Sequence, residues 1–507
     1  MGLRDFGLYD VIERNARVHR ERVAFVADGR RITHGQYAQR VDQLAYGLHS
    51  MGMRPGERVA VLAQNCQAYV DLYGAAARLG LIVVPVNWRL SADEVVQAIT
   101  DTTPRCVVAG PEYVALVDAA RGNLTFVEHY FSFGTAEGAF RGWDEVADGG
   151  AREAAPAVDV PADSGFVILH TAALDGRPRG ALLTQASLLL ANLQLAAAWN
   201  LSPSDVNLGV LPLFHASGIG FMLAVQQAGG CSVILPRFDP SSVLQAVDAE
   251  KVTVFAEFPP MLSTLLDKAQ EEGHDLSSVR HVTGIDTPQT IARFEATCPG
   301  ARFWSAFGQS ELSGLATFGP FSERPGSAGR PVPLARVMVV DELDCPLPAG
   351  QTGEIVVRGP TVFAGYWNRE AENAFTFRNG WHHTGDIGRF DEDGYLWYAG
   401  RSPAKELIKP GGENVYPAEV ERVLLQHPAI AEAVVFGVSD AQWGEAIKAV
   451  CVCRSEQQVG ADELIEFVGT RLARFKRPKH VAFATALARN AQGQIDRARV
   501  KQQFADG

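Results

Sequence analysis

The sequence lacks an apolar run long enough to cross a membrane, since no window reaches the roughly 18 uninterrupted apolar residues that a span requires. Its N-terminal segment also lacks the apolar stretch and cleavage site of a secretory signal. The formal net charge is -12 at pH 7, whereas a nucleic-acid-binding surface needs positive charge. We therefore expect a cytoplasmic protein with neither a membrane span nor a nucleic-acid partner.

Cysteine is scarce and scattered: the seven residues lie mostly within apolar runs. An odd, dispersed set does not indicate a disulfide framework and predicts buried thiols in a reducing compartment. Internal repeats and low-complexity segments are also missing, which argues against a fibrous or disordered chain. At 507 residues the chain is too long for one compact core, so we expect two or more domains.

The apolar segments predict an α/β fold. From residue 58 to residue 255, short apolar runs alternate with amphipathic stretches of helical length, such as strand Arg58–Leu62, helix Gln67–Leu79 and helix Gln185–Trp199. Such alternation is typical of parallel sheets covered by helices on both faces, and we expect two sheets. Short β segments broken by Gly and Pro follow between 329 and 400. We therefore predict a large domain over 1–400 that includes this β-rich subdomain, and a small, mobile α+β domain over 401–507.

Several short motifs carry groups suited to a nucleotide. They read LGVLPLFHASG at 208–218, FGQSE at 307–311, TGD at 384–386, GR at 400–401 and KELIKPGGENVYPAEVE at 405–421. An adenine nucleotide requires a carboxylate for its ribose diol, a cation for phosphate and a ring for stacking. The densest positive cluster, RFKRPK at 474–479, suits the additional phosphates of coenzyme A or, alternatively, is a solvated surface run.

In this order the motifs resemble those of the adenylate-forming superfamily, which includes acyl-CoA synthetases, luciferases and peptide-synthetase adenylation domains. The match spans nearly the whole chain, and the Gly-Gly segment resembles the acyl-CoA ligases most. The resemblance implies AMP-binding roles for Asp286, Phe307, Gly308, Gln309, Ser310, Glu311, Asp386 and Arg401. It implies CoA-binding roles for Gly411, Gly412, Glu413, Trp443, Arg474, Phe475, Lys476 and Arg477.

The resemblance also implies an acyl pocket, formed by His215, Phe258, Gly284 and Trp304 within longer segments at 254–260, 283–287 and 304–307. His215 would act as its aromatic gate and Gly412 would line the pantetheine tunnel, although His215 could equally be a packed core histidine. Lys405 stands at the hinge position, in a hinge that SPA at 402–404 lengthens. Glu311 would hold any magnesium ion, or would otherwise be a solvated residue.

The first departure from the family pattern is the phosphate loop. The family reads Thr-Ser-Gly-Thr-Thr-Gly, a variable residue, then Pro-Lys-Gly, whose hydroxyl and N–H groups surround the ATP phosphates. This chain has Thr171, Ala172, Ala173, Leu174, Asp175 and Gly176, followed by Arg-Pro-Arg179-Gly. Each lost charge-assisted hydrogen bond is worth roughly 1.5–3 kcal/mol. Asp175 would place a negative charge beside the phosphates or, alternatively, would pair with Arg179 and leave a closed loop that excludes phosphate.

The second departure is Gln494, in NAQGQIDR, where the family has the lysine that enters the active site during adenylation. Loss of such a transition-state contact typically costs on the order of 100-fold to 1000-fold in rate. A neighbouring Lys501 or Arg497 could replace it, or the glutamine could be an introduced substitution.

Both departures affect adenylation, whereas thioester formation starts from an activated mixed anhydride. The pattern resembles the non-adenylating acyl-CoA ligases, including that of platensimycin and platencin biosynthesis, which implies a diterpenoid or other bulky apolar acyl group. It implies acyl-AMP and coenzyme A as substrates, a separate adenylating ligase as partner, and no requirement for magnesium. A complete ATP-dependent synthetase and a non-catalytic acyl-adenylate-binding scaffold are the alternatives.

Overall fold

The computed structural model describes residues 2–3, 5–148, 158–171, 178–401, 407–440, 442–454, 457–490 and 495–505. The chain divides into two compact units. The first unit comprises residues 1–88, 98–170 and 180–400, and the second comprises 89–97, 171–179 and 401–507. No helix in the described part is long and apolar enough to cross a membrane.

The first sheet of the first unit is mostly parallel and has eight strands within the described ranges. In spatial order these are β19 (Gly365–Tyr366), β9 (Arg179–Thr184), β8 (Gly165–Thr171), β4 (Ile82–Pro85), β3 (Arg58–Leu62), β5 (Cys106–Ala109), β6 (His129–Ser132) and β7 (Arg141–Gly142). The central strands are buried along their length because helices cover both faces.

The second sheet has nine strands in the same ranges and is parallel from β14 to β1. In spatial order these are β16 (Arg330–Pro331), β15 (Gly314–Pro320), β14 (Arg302–Gln309), β13 (His281–Gly284), β12 (Val254–Glu257), β10 (Val206–Gly209), β11 (Cys231–Ile234), β1 (Val23–Ala27) and β2 (Arg30–Thr33). The two sheets confirm the predicted α/β class.

Twelve α-helices connect and cover these strands among the residues described up to 401. They are α1 (Leu8–Val18), α2 (His34–Ser50), α3 (Gln67–Leu79), α4 (Ala92–Thr102), α5 (Val114–Ala120), α6 (Asp144–Asp148), α7 (Gln185–Trp199), α8 (Ala216–Gln227), α9 (Pro240–Glu250), α10 (Met261–Glu272), α11 (Pro288–Thr297) and α12 (Glu370–Thr376). Their caps follow ordinary rules: Asp239 accepts the Ser242 N–H at the start of α9, and Gly80 ends α3 with φ of 67°.

An antiparallel four-stranded sheet lies within the predicted β-rich region. Its strands are β17 (Arg336–Val340), β18 (Gly353–Arg358), β20 (His382–Phe390) and β21 (Leu396–Arg401). The region is not uniform, because β16 joins the second sheet and β19 joins the first. The second unit has its own sheet and helices. These are β22 (Ile430–Asp440), β23 (Gly444–Cys453), β24 (His480–Phe483), α13 (Pro417–Leu424), α14 (Ala461–Gly469) and α15 (Arg497–Phe504).

The prediction that the cysteines are buried needs one correction. Cys106, Cys231, Cys298 and Cys451 are buried, but Cys345 is exposed. Cys345 lies in a turn whose backbone N–H donates to Asp341 Oδ1 at 2.8 Å, and the apolar run that would have buried it ends before this turn.

Candidate active site

The predicted acyl-pocket residues lie in or shortly after neighbouring strands of the second sheet. Parallel strands β10, β12, β13 and β14 lie next to each other, so their carboxyl ends share an edge, where open α/β sheets bind ligands. His215 follows β10 and is the N-cap residue of α8. Phe258 directly follows β12, Gly284 ends β13, and Trp304 lies in β14.

Hydrogen bonding and ring packing connect Trp304 with three other aromatic side chains, those of His281, Phe318 and Trp199. Its indole Nε1 donates to His281 Nδ1 at 3.1 Å, and its ring stacks on Phe318 with centroids 4.8 Å apart. Burial lowers the pKa of His281 to about 4, so the imidazole is neutral and can accept this bond. The His281 ring stacks in turn on Trp199, 5.6 Å away. The aromatic wall at this strand is therefore rigid.

The FGQSE segment crosses from a strand into a turn. Gln309 ends β14, and residues 310–312 form a single 3₁₀ turn. A Cβ atom at Gly308 would lie 2.0 Å from the Gly314 carbonyl oxygen, so only glycine allows β14 and β15 to approach this closely. The Phe307 ring stacks against Tyr398, with centroids 6.2 Å apart and planes inclined by 28°. Sequence inspection missed Tyr398, which lies in β21.

The predicted ribose carboxylate, Asp386, is buried and held by side chains from other strands. Gln309 Nε2 donates to Asp386 Oδ2, and the Tyr398 hydroxyl donates to Asp386 Oδ1 at 3.2 Å. Gln309 Nε2 also lies 3.0 Å from the Thr384 carbonyl oxygen. The FGQSE and TGD motifs, 73 residues or more apart in the chain, therefore form one constellation.

The TGD turn has its own support from β18. The Thr384 hydroxyl donates to the Ile355 carbonyl at 2.6 Å and accepts the Asp386 N–H at 3.1 Å. The Gly385 N–H donates to Glu354 Oε1 at 2.9 Å, and His383 Nδ1 lies 2.9 Å from Glu354 Oε2. Burial favours the protonated carboxyl, but the bonds from His383 and Gly385 outweigh it and lower the pKa of Glu354. Glu354 thus anchors the turn that presents Asp386.

Glu311, the predicted magnesium ligand, is buried and bonded within the protein. The Tyr366 hydroxyl donates to Glu311 Oε1 at 2.9 Å, and the Phe363 N–H donates to the Glu311 carbonyl at 2.9 Å. Among the described residues no group of three or more His, Cys, Asp and Glu side chains could hold a metal ion. A single carboxylate suits a magnesium ion that takes its remaining oxygens from phosphate and water.

Two further carboxyl groups lie at the strand edge. Glu257 ends β12, and neither of its carboxylate oxygens has a hydrogen-bond partner in the part of the chain that the structure describes. Asp286 accepts the Thr287 N–H through Oδ1 at 2.6 Å, while Asp286 Oδ2 is buried without a described partner. The prediction named Asp286 and the segment around Glu257 but did not single out Glu257. An acidic residue inside the apolar run VFAEFPP was the available signal.

In the second unit the Gly-Gly segment lies against Trp443. The Gly411 N–H donates to the Trp443 carbonyl at 3.0 Å, and a Cβ atom at Gly411 would lie 2.9 Å from the indole ring. Gly411 and Gly412 have φ of 58° and 84°, which glycine adopts without strain. Glu413 forms an ion pair with Arg89, and the Trp443 side chain is exposed.

The predicted CoA-binding cluster separates into outward and inward residues. Arg474 and Arg477 are exposed and Phe475 is half-buried, whereas Lys476 is 4% exposed. Lys476 Nζ lies 2.6 Å from Glu94 Oε1 and 2.7 Å from Glu419 Oε2. Burial disfavours its charge, but the Glu419 and Glu94 carboxylates outweigh burial and raise the pKa of Lys476. This arrangement makes Lys476 an internal ion-pair residue, while the two arginines stay available to solvent.

Several predicted residues fall outside the described ranges. They are Lys405, Gln494, and positions 172–177 of the phosphate loop, which include Ala172, Ala173, Leu174, Asp175 and Gly176. The loop's described ends are Thr171, which ends β8, and the buried Arg179, which begins β9. Arg401 is the last residue of β21.

Comparison with known proteins identifies the family of the chain. The family models for AMP-binding enzyme and AMP-binding enzyme C-terminal domain match residues 12–367 and 419–494. A feruloyl-CoA synthase of an Amycolatopsis species is 34% identical over 99% of this chain and 100% of that protein. The indoleacetate–CoA ligase of Aromatoleum aromaticum is 32% identical over 98% of each chain.

Two solved structures are similar along most of their length. A Rhodopseudomonas palustris protein provisionally named a long-chain-fatty-acid CoA ligase is 52% identical, with a TM-score of 0.76 over 79% of this chain and 100% of that chain. The o-succinylbenzoate CoA synthetase of Bacillus subtilis is 27% identical, with a TM-score of 0.85 over 98% of each chain. The motif resemblance is thereby confirmed, and the chain belongs to the AMP-binding enzyme family of the adenylate-forming superfamily.

Proposed function

We propose that this protein is an acyl-CoA ligase that transfers the acyl group of an acyl-adenylate to the thiol of coenzyme A, with adenylation itself weak or lost. The observation that carries the proposal is the contrast between two parts of the nucleotide site. Asp386, the carboxylate proposed to bind ribose, lies in a turn supported from three strands, whereas the sequence at 171–179 and at Gln494 lacks the family's groups for ATP phosphates and for the adenylating lysine.

Thioester formation requires little from the phosphate-loop groups and the lysine that this sequence lacks. The CoA sulfur attacks the carbonyl carbon of the mixed anhydride, the bond from that carbon to the phosphate oxygen breaks, and AMP leaves with the electron pair. The thiol proton passes to solvent. No pyrophosphate is formed, so a triphosphate cradle is not needed.

In this proposal the first unit binds the adenylate. Asp386 accepts the ribose hydroxyls, the Phe307 and Tyr398 rings offer a surface for adenine, and Ser310 contacts the phosphate. Glu311 would share a magnesium ion with phosphate oxygens if one is bound. The acyl group would lie against His215, Phe258, Gly284 and Trp304.

The second unit would deliver coenzyme A. The Gly411–Gly412 turn has no side chains and would admit the narrow pantetheine arm beside Trp443. The exposed Arg474 and Arg477 would contact the CoA phosphates as charge-assisted donors. We place this CoA-delivering domain at 401–507, with Lys405 at its hinge, and the acyl- and AMP-binding domain at 1–400.

A separate adenylating ligase would supply the acyl-AMP, since this chain would regenerate it slowly. A bulky apolar acid, a diterpenoid acid among them, remains the proposed acyl group. The second candidate is a complete ATP-dependent acyl-CoA synthetase, which the CoA-ligase names of the relatives favour. A non-catalytic adenylate-binding scaffold is the third, although the joint presence of the ribose and Gly-Gly motifs argues against it.

A two-substrate comparison tests the proposal. The purified chain receives CoA with either a preformed acyl-AMP or the free acid plus ATP, using feruloyl and long-chain acyl groups as probes. We expect thioester formation from acyl-AMP at least about 100-fold faster than from acid plus ATP, the factor that one lost transition-state contact removes. Asp386→Ala should slow both reactions by a similar factor, because both need the ribose contact.

The variant Gln494→Lys separates the two departures. If the altered loop also limits adenylation, restoring the ammonium group should raise pyrophosphate release only modestly, by about 10-fold or less. Rapid pyrophosphate release by the unmodified chain would instead establish the complete synthetase. No turnover of any acyl-AMP, with AMP binding retained, would favour the scaffold.

A further inference from the structure

Glu257 is an unexplained buried acid at the strand edge. It is 0% exposed, neither carboxylate oxygen receives a well-formed hydrogen bond from the described residues, and the Leu262 N–H interacts with the carboxyl only weakly. Burying a polar group without a partner costs roughly 2–7 kcal/mol, so native proteins rarely retain one that does nothing. A leucine or methionine at this position would fold better, which indicates that the carboxyl has a use beyond stability.

The position of the carboxyl connects it with the proposed acyl pocket. Glu257 pairs in register with Gly284 on the neighbouring strand. A Cβ atom at Gly284 would lie 2.1 Å from the Glu257 carbonyl oxygen and 2.7 Å from Glu257 Oε1, so the backbone and the carboxyl of Glu257 together occupy the space that a side chain at 284 would take. It therefore lies at the carboxyl edge of β12 and β13, between Gly284 and the start of α10.

Asp286 adds a second carboxyl at this place. Its Oδ2 atom is buried without a described partner, and its charge acts on Glu257. Burial and then Asp286 raise the pKa of Glu257 well above its usual range, against a smaller opposing effect of the Leu262 N–H. A protonated carboxyl donates one hydrogen bond and accepts others. Close by in the chain, Met261 belongs to the hydrophobic cluster that α10 helps to form, and Phe258 packs against that cluster.

We propose that Glu257, assisted by Asp286, forms a polar subsite of the acyl pocket that hydrogen-bonds a hydroxyl group on the acyl chain. The substrates are then apolar carboxylic acids that carry a hydroxyl group remote from the carboxyl. A hydroxyl both donates and accepts, which suits two carboxyl groups in apolar surroundings. An ammonium group would instead require an ionised carboxylate there. This inference rests on the proposed function, because the subsite acts on the acyl group of that reaction.

The test uses the full chain with CoA and three synthetic adenylates: cinnamoyl-AMP, 3-hydroxycinnamoyl-AMP and 4-hydroxycinnamoyl-AMP. We expect kcat/KM for one hydroxylated ester to exceed that for cinnamoyl-AMP by about 10-fold or more, which corresponds to one hydrogen bond in a buried site. Glu257→Leu should remove this preference, and Glu257→Gln should retain part of it. Glu271→Leu, an exposed position on α10, should leave the preference unchanged.

Two results would overturn the proposal. One is a wild-type enzyme that shows no preference for either hydroxylated ester; the other is a preference that survives in Glu257→Leu. A stronger preference for 4-aminocinnamoyl-AMP would overturn the assignment to a hydroxyl. If Glu257→Leu does not fold, the isosteric Glu257→Gln decides, since a weakened preference is still expected.

Calorimetry separates this proposal from the proposed function. If no adenylate is turned over, the proposed function fails, but binding of 3- and 4-hydroxycinnamic acid relative to cinnamic acid still reports on the subsite. Tighter binding of a hydroxylated acid to the wild type and equal binding to Glu257→Leu would support the subsite without any catalysis. Equal affinities in both proteins would refute it.

Discussion

The buried ammonium group of Lys476 allows a quantitative test of how the second unit is stabilised. Lys476, Glu94 and Glu419 are all buried, and the two carboxylates lie 2.6 Å and 2.7 Å from Nζ. Lys476→Met keeps most of the aliphatic chain and removes the charge. Glu94 retains its bonds from the Ser91 and Ala473 N–H groups at 2.9 Å and 3.0 Å. Glu419 retains one from the Tyr416 N–H at 3.0 Å.

Removing one partner of a buried ion pair usually costs about 3–5 kcal/mol. Here the remaining N–H donors and proton uptake by one carboxyl limit the loss, so we expect about 3 kcal/mol at neutral pH. The loss should shrink in acid, because the two carboxyl groups are then protonated and no longer need a counter-charge.

Hydrogen exchange is the suitable assay, because a chain of two units need not unfold in one step. Amides in α13, β22 and β23 should exchange faster in Lys476→Met. A stability loss of about 3 kcal/mol corresponds to exchange that is roughly 100-fold faster or more. Arg474→Met is the matched control on the same turn. Since Arg474 is exposed, its loss should change stability by less than about 0.5 kcal/mol and should raise KM for CoA. If Lys476→Met leaves amide exchange unchanged and raises KM for CoA, the role of Lys476 as an internal ion-pair residue is refuted and a direct contact with CoA is supported instead.

Three further predictions follow from the first unit. The folded-state pKa of Glu257 is raised above its ordinary value of 4.5, so above pH 4.5 the folded chain binds more protons than the unfolded chain. The free energy of unfolding should therefore fall as the pH rises from 4.5 towards neutrality. Glu257→Gln should weaken this pH dependence of stability in urea titrations. The pKa of Glu354 is lowered, so its effect on stability has the opposite pH dependence: its stabilising contribution is complete above pH 4.5 and is lost as the pH falls further. Glu354→Gln should raise KM for acyl-AMP more than it lowers kcat. Asp386→Asn should weaken AMP binding by about 10-fold or more in calorimetry with the circular dichroism spectrum unchanged, and unchanged affinity would exclude a ribose contact.

Periodic apolar patterns predicted much of the fold. The segments Arg58–Leu62, Gln67–Leu79 and Gln185–Trp199 coincide with β3, α3 and α7, because each is long, regular and bounded by a cap or turn. The apolar pattern was less exact at residues 206–211, where strand β10 ends at Gly209 because the chain turns before His215. Strand β1 could not be placed from local pattern, since it pairs with β11 more than two hundred residues later.

The candidate site was predictable where short motifs carry the chemistry and not where distant residues meet. Asp386, the proposed ribose carboxylate, and the FGQSE segment were found as motifs, but the Tyr398 and Glu354 contacts depend on strand pairing. A run of positive charge suggested a phosphate-binding role for Lys476, whose partner Glu94 lies 382 residues away. Glu257 was visible in the sequence as an acid within an apolar run, but only the structure shows that its carboxyl is buried without a well-formed hydrogen bond.

The contacts of Asp386 also bear on how quickly the enzyme can be reused. The Gln309 amide and the Tyr398 phenol both donate to this carboxylate within the protein. In the proposed ribose-binding role, a diol would therefore exchange one set of hydrogen bonds for another, so the net gain per contact would be small. The same internal donors would be at hand when AMP leaves, which would favour rapid product dissociation over tight retention.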